Sequence, residues 1–152
     1  MKNKIQLEFL WWLFTAILIV ILMIPIYINQ VEFPFYEYNV FFILSAVTFS
    51  RLLFQIKHSF LAHQLVLKFL FMFLAVVVFM LAYRGINLYN IFIDEKGHYF
   101  LVEHLPLEKR YSLAKYINWE FFFFGIASIV SAVIMPFRLL VSIFRVKNYG
   151  EE

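Results

Sequence analysis

Among the basic residues that lie within or beside long apolar segments, four are the side chains best suited to bind a ligand. They are Arg51, Lys57, Arg138 and Arg145. A guanidinium or ammonium group recognises carboxylates and phosphates, and ionisable groups in apolar segments often mark functional sites. These residues are therefore candidates for a site that binds an anionic headgroup or a partner. Another reading stays open, in which the arginines only extend to the membrane surface and touch lipid phosphates.

The acidic residues suggest which of these charges are paired inside the chain. No Asp or Glu occurs from residue 9 to 31 or from 38 to 93, so Glu8 is the acid available at the depth of the arginines. We predict that Glu8 pairs with Arg51 or Arg138, which leaves the other arginine for a lipid phosphate or another chain. We also predict a structural pair between Arg84 and Glu120, which would connect two helices.

Signals for catalysis, metals or cofactors are weak. The chain has no cysteine, and its four histidines do not have the spacing of a metal-binding motif. Asp94 and Glu95 are better explained as part of a solvated helix face than as catalytic acids. We expect no enzyme activity, no cofactor and no metal. The net charge of +3 comes from dispersed basic residues, so we expect no nucleic-acid partner either.

Composition indicates the elements that hold these residues. Of the 152 residues, 64% are hydrophobic and only 15% are charged, which is outside the range of soluble domains. Apolar runs long enough to cross a bilayer of about 30 Å occur at residues 9–29, 39–56, 65–83 and 121–144. The sequence predicts an all-α membrane protein, in which residues 1–152 form one bundle of four transmembrane helices. The first run is followed by no signal-peptide cleavage pattern, so we expect a retained anchor.

The distribution of charge predicts the orientation. With both termini inside, eight basic and three acidic residues face the inner side, against five basic and seven acidic residues on the outer side. The positive-inside rule therefore favours cytoplasmic termini.

Residues 84–120 form the only long polar connection. Apolar residues recur there at helical spacing around Pro106, which predicts two short amphipathic helices on the outer side, broken at residues 104–106.

Two helices carry polar stripes. In the second span Ser45, Thr48, Arg51 and Gln55 lie within about 120° of one helical face, and a similar stripe of about 60° runs along the fourth span. The stripe of the fourth span contains Ser131, Arg138, Ser142 and Arg145. The same span has a face of small residues that predicts close helix packing, and a proline that predicts a bend. These are Gly125, Ser128, Ala132 and Pro136.

Three segments carry a resemblance: FSRLLFQIKHSFLAH, HLPLEKRYSLAKYI and EFFFFGIASIVSAVIMPFRLLVSIFRVKN. They resemble an uncharacterised family of small four-span inner-membrane proteins of Bacteroidota. The resemblance covers about half of the chain. It implies a bacterial inner-membrane location and this topology, but no activity. The matching positions are Arg51, Lys57, His58, Pro106, Leu107, Glu108, Gly125, Pro136, Phe137 and Arg138.

Two functions fit these observations. The first is a non-catalytic subunit or scaffold of a larger membrane assembly, with a protein partner or a second copy of the chain, and with anionic lipid headgroups on the inner side. The alternative is a small transporter, channel or lipid-handling protein, in which the two polar stripes line a path and a basic inner rim binds anionic groups. The absence of carboxylates at mid-depth argues against a proton-coupled pump.

Overall fold

The chain folds into four long helices and no strand in the part that the structure describes. The computed structural model describes residues 2–150, with the side chains of residues 5–148 and 150. The helices are α1 (Lys2–Ile28), α2 (Tyr36–Gln55), α3 (Leu65–Lys96) and α4 (Leu107–Tyr149), with short 3-10 turns at Ile56–His58 and Phe100–Val102. All four are long and apolar enough to cross a membrane, which confirms the predicted all-α membrane class. Glu151 and Glu152, used in the charge count, lie outside the described residues, as do the side chains of Lys2 and Lys4.

The connection between the third and fourth helices differs from the prediction of two separate amphipathic helices. Residues 84–96 continue α3, and residues 107–120 continue α4, so that only residues 97–106 connect them. The extension of α3 is stabilised by packing, because Gly85, Tyr89 and Ile93 recur every four residues and are buried. Pro106 directly precedes α4, at the predicted break. A proline suits this position because the first turn of a helix needs no donor from its backbone.

Helix lengths show how far the bundle extends beyond a bilayer. The 20 residues of α2 span about 30 Å, the thickness of the hydrocarbon layer. The 32 residues of α3 and 43 residues of α4 span about 48 and 65 Å. The α3–α4 hairpin therefore projects beyond α2. We call the end of the bundle that holds this connection the loop end, and the end that holds the start of α1 and the last turns of α4 the terminal end.

The helix α2 is the most buried of the four. Half of the residues in its most apolar stretch are buried, against 11% in that of α1. Contacts between α2 and α4 join Asn39 to Glu120, Ser45 to Ser128 and Leu53 to Arg138. Residue numbers rise together along the two helices through these three contacts, so the helices run parallel. Meanwhile α3 packs against α4 along its length.

The core has two parts. An aromatic cluster lies at the loop end, where the rings of Phe42 and Tyr89 pack against Phe121 with centroids 4.9 and 4.3 Å away. An aliphatic cluster at the terminal end includes Leu52, Leu61 and Leu139. Aromatic rings at these separations contribute more than their buried area alone.

Candidate functional site

Glu8 and Arg51 form an ion pair at the terminal end. Nη1 and Nη2 of Arg51 donate to the two carboxylate oxygens of Glu8 at 2.7 and 2.5 Å, in a bidentate arrangement. The side chains keep only 7% and 16% exposure, and Cζ of Arg51 lies 5.5 Å from the centre of the Trp11 ring. Glu8 also accepts a hydrogen bond from the backbone N–H of Phe60. Of the two arginines that the sequence offered to Glu8, the structure pairs Arg51.

Arg138 has a different position. Its Nε donates to the backbone oxygen of Leu53 at 3.1 Å. Leu53 belongs to the last turn of α2, where carbonyl groups have no donor within the helix. Arg138 therefore caps α2, and Arg51 ties α2 to α1. The remaining predicted anion-binding residues, Lys57 and Arg145, are exposed.

Ser45 of the polar stripe on α2 meets Ser128 on α4, one turn before the stripe of that helix begins at Ser131, and we call this contact between the two helices the seam. The hydroxyl groups of Ser45 and Ser128 are 2.6 Å apart, and both serines are buried. Ser131 is buried as well and donates to the backbone oxygen of Ser128. At this separation the two hydroxyl groups are in direct hydrogen-bonding contact, so no water lies between them. This contact between the two serines packs the helices together and leaves no path at this level.

The small-residue face of α4 packs inside the chain. Gly125 lies where α2, α3 and α4 meet, and a methyl group added there would lie 3.0 Å from Ile86 and Phe42. Ser128 and Ala132 are buried on the same side. Pro136 lies within α4, which continues to Tyr149.

The predicted pair of Arg84 and Glu120 is absent from the described residues. Glu120 is 6% exposed, and its Oε2 accepts a hydrogen bond of 2.7 Å from Nδ2 of Asn39, which is fully buried. Arg84 is exposed on α3. The pairing prediction was wrong. It assumed that both residues stand at helix ends, but α3 and α4 continue past them, so packing between the helices sets the direction of the two side chains.

Asn39 and Lys68 are buried polar residues to which the sequence assigned no site role. Lys68 contributes there only to the charge of the inner side. Lys68 is 0% exposed, and its Nζ donates to the backbone oxygen of Ala62 at 2.6 Å, which fixes the loop between α2 and α3. A lone lysine in the run LVLKFLF was an available signal, since a lysine is rarely buried without partners.

A groove opens on the side of the bundle between α1, α2 and α4. It has a volume of about 340 Å³, which is at the lower end of small-molecule sites. Apolar residues such as Val47, Phe124 and Ala127 line most of it, with Ser50 and Arg51 among the polar lining residues. The shape suits an acyl chain or another apolar group.

Neither a metal site nor a known relative identifies the chain. Among the described side chains, no group of three or more His, Asp or Glu residues could hold a metal ion. Comparison of the chain with protein-family models, curated proteins and solved structures found no match.

Proposed function

We propose that this chain is a non-catalytic subunit or scaffold of a larger assembly in the bacterial inner membrane, with both termini in the cytoplasm. The observation that carries the proposal is the contact of 2.6 Å between Ser45 and Ser128. A conducting protein of this size would need its polar stripes to face a path. Here Ser45 is used in packing α2 against Ser128 of α4, and Arg51 is used in pairing with Glu8 of α1, which favours a structural role.

The exposed surfaces support the same proposal. The helix α1 is held near its two ends, by the pair of Glu8 and Arg51 and by the hydroxyl of Tyr116, which donates to the backbone oxygen of Leu22 at 2.8 Å. Its remaining surface is mostly apolar and exposed, and includes Ile17 and Val20. Such a surface suits contact with lipid tails or with the helices of a partner.

The exposed cations of the terminal end suit anionic lipid headgroups. Lys57 and Arg145 are solvent-exposed, and each basic residue near an anionic leaflet contributes about 1 kcal/mol of attraction. This contact would orient the subunit and requires no built pocket.

Gentle extraction into lipid nanodiscs, followed by mass spectrometry of proteins and lipids, tests the proposal. The wild-type chain should be recovered with a partner protein in a fixed ratio. The variant Val20→Trp alters the exposed face of α1, where the side chain is 60% exposed, and should lose that partner. The variant Lys57→Gln with Arg145→Gln should keep the partner and lose enriched anionic lipid. Recovery of the chain alone, with no partner in fixed ratio, would contradict the subunit proposal.

Lipid handling is the second candidate, and the lateral groove is the observation that favours it. A phosphate bound to Arg51 is disfavoured, because Nη1 and Nη2 of Arg51 already donate to Glu8. An apolar chain in the groove does not need those nitrogens. Extraction of the chain alone with one enriched lipid, and loss of that lipid in Ala127→Trp, would make this candidate the better one.

A further inference from the structure

The loop end of the seam buries an acidic side chain beside an amide. Asn39 on α2 is 0% exposed and Glu120 on α4 is 6% exposed. The aromatic cluster adjoins the pair, since Phe121 follows Glu120 and packs on Phe42 and Tyr89. A carboxylate in such apolar surroundings is costly unless it is neutralised or well paired.

Two buried oxygen atoms of this pair have no hydrogen-bond partner. Nδ2 of Asn39 donates to Oε2 of Glu120, but Oδ1 of Asn39 and Oε1 of Glu120 are both buried and accept no hydrogen bond. An ionised carboxylate and an amide oxygen are acceptors only, so neither can satisfy the other. One additional hydrogen on Glu120 would turn Oε1 into a donor for Oδ1 of the same asparagine.

No basic side chain balances the charge of Glu120. Within the described residues no lysine or arginine forms an ion pair with it, and Arg84 is exposed. The ionisable side chains nearest to it are Tyr89 on α3 and Tyr116 on α4, whose hydroxyl is donated to Leu22. The other ionisable side chains at this end of the helices are exposed or half-buried, and they include Tyr27 on α1, Tyr36, Glu37 and Tyr38 on α2, and Lys115 on α4.

We propose that Asn39 and Glu120 form a proton-binding site inside the bundle. Glu120 carries the proton on Oε1 and donates it to Oδ1 of Asn39, while Nδ2 of Asn39 donates to Oε2. The amide and the acid then hold α2 to α4 through two hydrogen bonds. Release of the proton leaves a carboxylate among aromatic rings and weakens this contact. The site is independent of any protein partner, so it can hold whether or not the subunit proposal does.

Infrared spectroscopy of the chain in nanodiscs tests the proposal at neutral pH. A protonated carboxylic acid has a C=O stretch that an ionised one lacks. The wild type should show this band, and Glu120→Gln should lose it. The glutamine should fold, because its NH₂ group can donate to Asn39 in place of the acid. Asn39→Leu removes the acceptor and the donor while keeping a similar branched shape, so the band should shift to the position of a less hydrogen-bonded acid.

The matched control is Glu37→Gln, which changes an exposed acid on the turn that holds Asn39. This variant should keep the band. Equal spectra for the wild type and Glu120→Gln would overturn the proposal, and a band that Asn39→Leu leaves unshifted would overturn the pairing. A pH titration of the wild type alone gives a second test without variants. The band should disappear as the pH rises, and the resistance to unfolding should fall with it, since the folded chain holds a proton that the unfolded chain releases. A wild type with no band at neutral pH would contradict the proposal.

Discussion

At the scale of single residues, charge pairing decides what the membrane arginines can do. Arg51 is almost fully buried and uses both of its terminal nitrogens on one carboxylate. Removing one partner of such a pair leaves an uncompensated charge, whereas replacing both with apolar side chains is often neutral. The pair therefore serves to fix α1 against α2 and does not remain available as a strong anion site.

The variant Glu8→Gln should destabilise the fold. We expect a loss of about 3 kcal/mol in the free energy of unfolding, the lower end for breaking a buried pair, because Glu8 keeps 16% exposure. The double variant Glu8→Leu with Arg51→Leu should recover most of that loss. Equilibrium unfolding in mixed micelles measures both.

The exposed acid Glu95, at the end of α3, provides the control for this measurement. The variant Glu95→Gln should change stability by less than about 0.5 kcal/mol. An equally small effect for Glu8→Gln would mean that the ion pair contributes nothing to the fold.

Sequence reasoning reached part of this residue-level description. The lack of any other acid at that depth identifies Glu8 as a partner from the sequence alone. The choice between Arg51 and Arg138 could not be made, because it depends on which face of each helix meets α1. The role of Asn39 was also beyond reach, since a single asparagine near a helix start has many ordinary explanations.

At the scale of elements, close approach of three helices explains why α3 and α4 extend past the predicted spans. Gly85 lies against Tyr38 and Phe42 of α2, and a methyl group there would lie 2.4 Å from Cδ1 of Tyr38 and 2.7 Å from Cζ of Phe42. Both are below van der Waals contact, so an added methyl group must displace an aromatic ring. The apolar pattern predicted helices in this region but not their continuity, because continuity depends on packing between distant residues.

The variant Gly85→Ala should therefore separate α2 from α3. Overpacking costs about 1–3 kcal/mol, while the higher helix propensity of alanine returns about 1 kcal/mol, so the net loss should be roughly 1 kcal/mol. Unfolding in mixed micelles and the quenching of tyrosine fluorescence measure the change.

Gly125→Ala is the matched variant, because its nearest contacts lie at 3.0 Å and two of the three belong to the flexible side chain of Ile86. The propensity gain should offset the crowding there, and stability should stay close to that of the wild type. A larger loss of stability in Gly125→Ala than in Gly85→Ala would mean that the helices do not pack most closely at Gly85.

At the scale of the whole molecule, the structure is a packed centre with large apolar surfaces. The centre consists of α2, α4 and α3, and α1 is attached to it mainly near its two ends. The number of helices follows from the apolar runs of the sequence alone, because the thickness of the bilayer sets their length. Whether a polar stripe lines a path or packs against another helix could not be predicted, because the same residues at the same spacing fit both arrangements.

The closure of the seam between α2 and α4 is the central claim, and thiol labelling tests it most directly. The chain has no cysteine, so single cysteines can be introduced without background. We expect Ser128→Cys and Ser131→Cys, both buried, to resist a small, charged, water-soluble thiol reagent in liposomes until the protein is unfolded. Ser112→Cys, at an exposed position of α4, should react at once. Rapid modification of the cysteine at position 128 or 131 in the folded protein would show that water enters the seam, and would contradict a structural role in favour of a path.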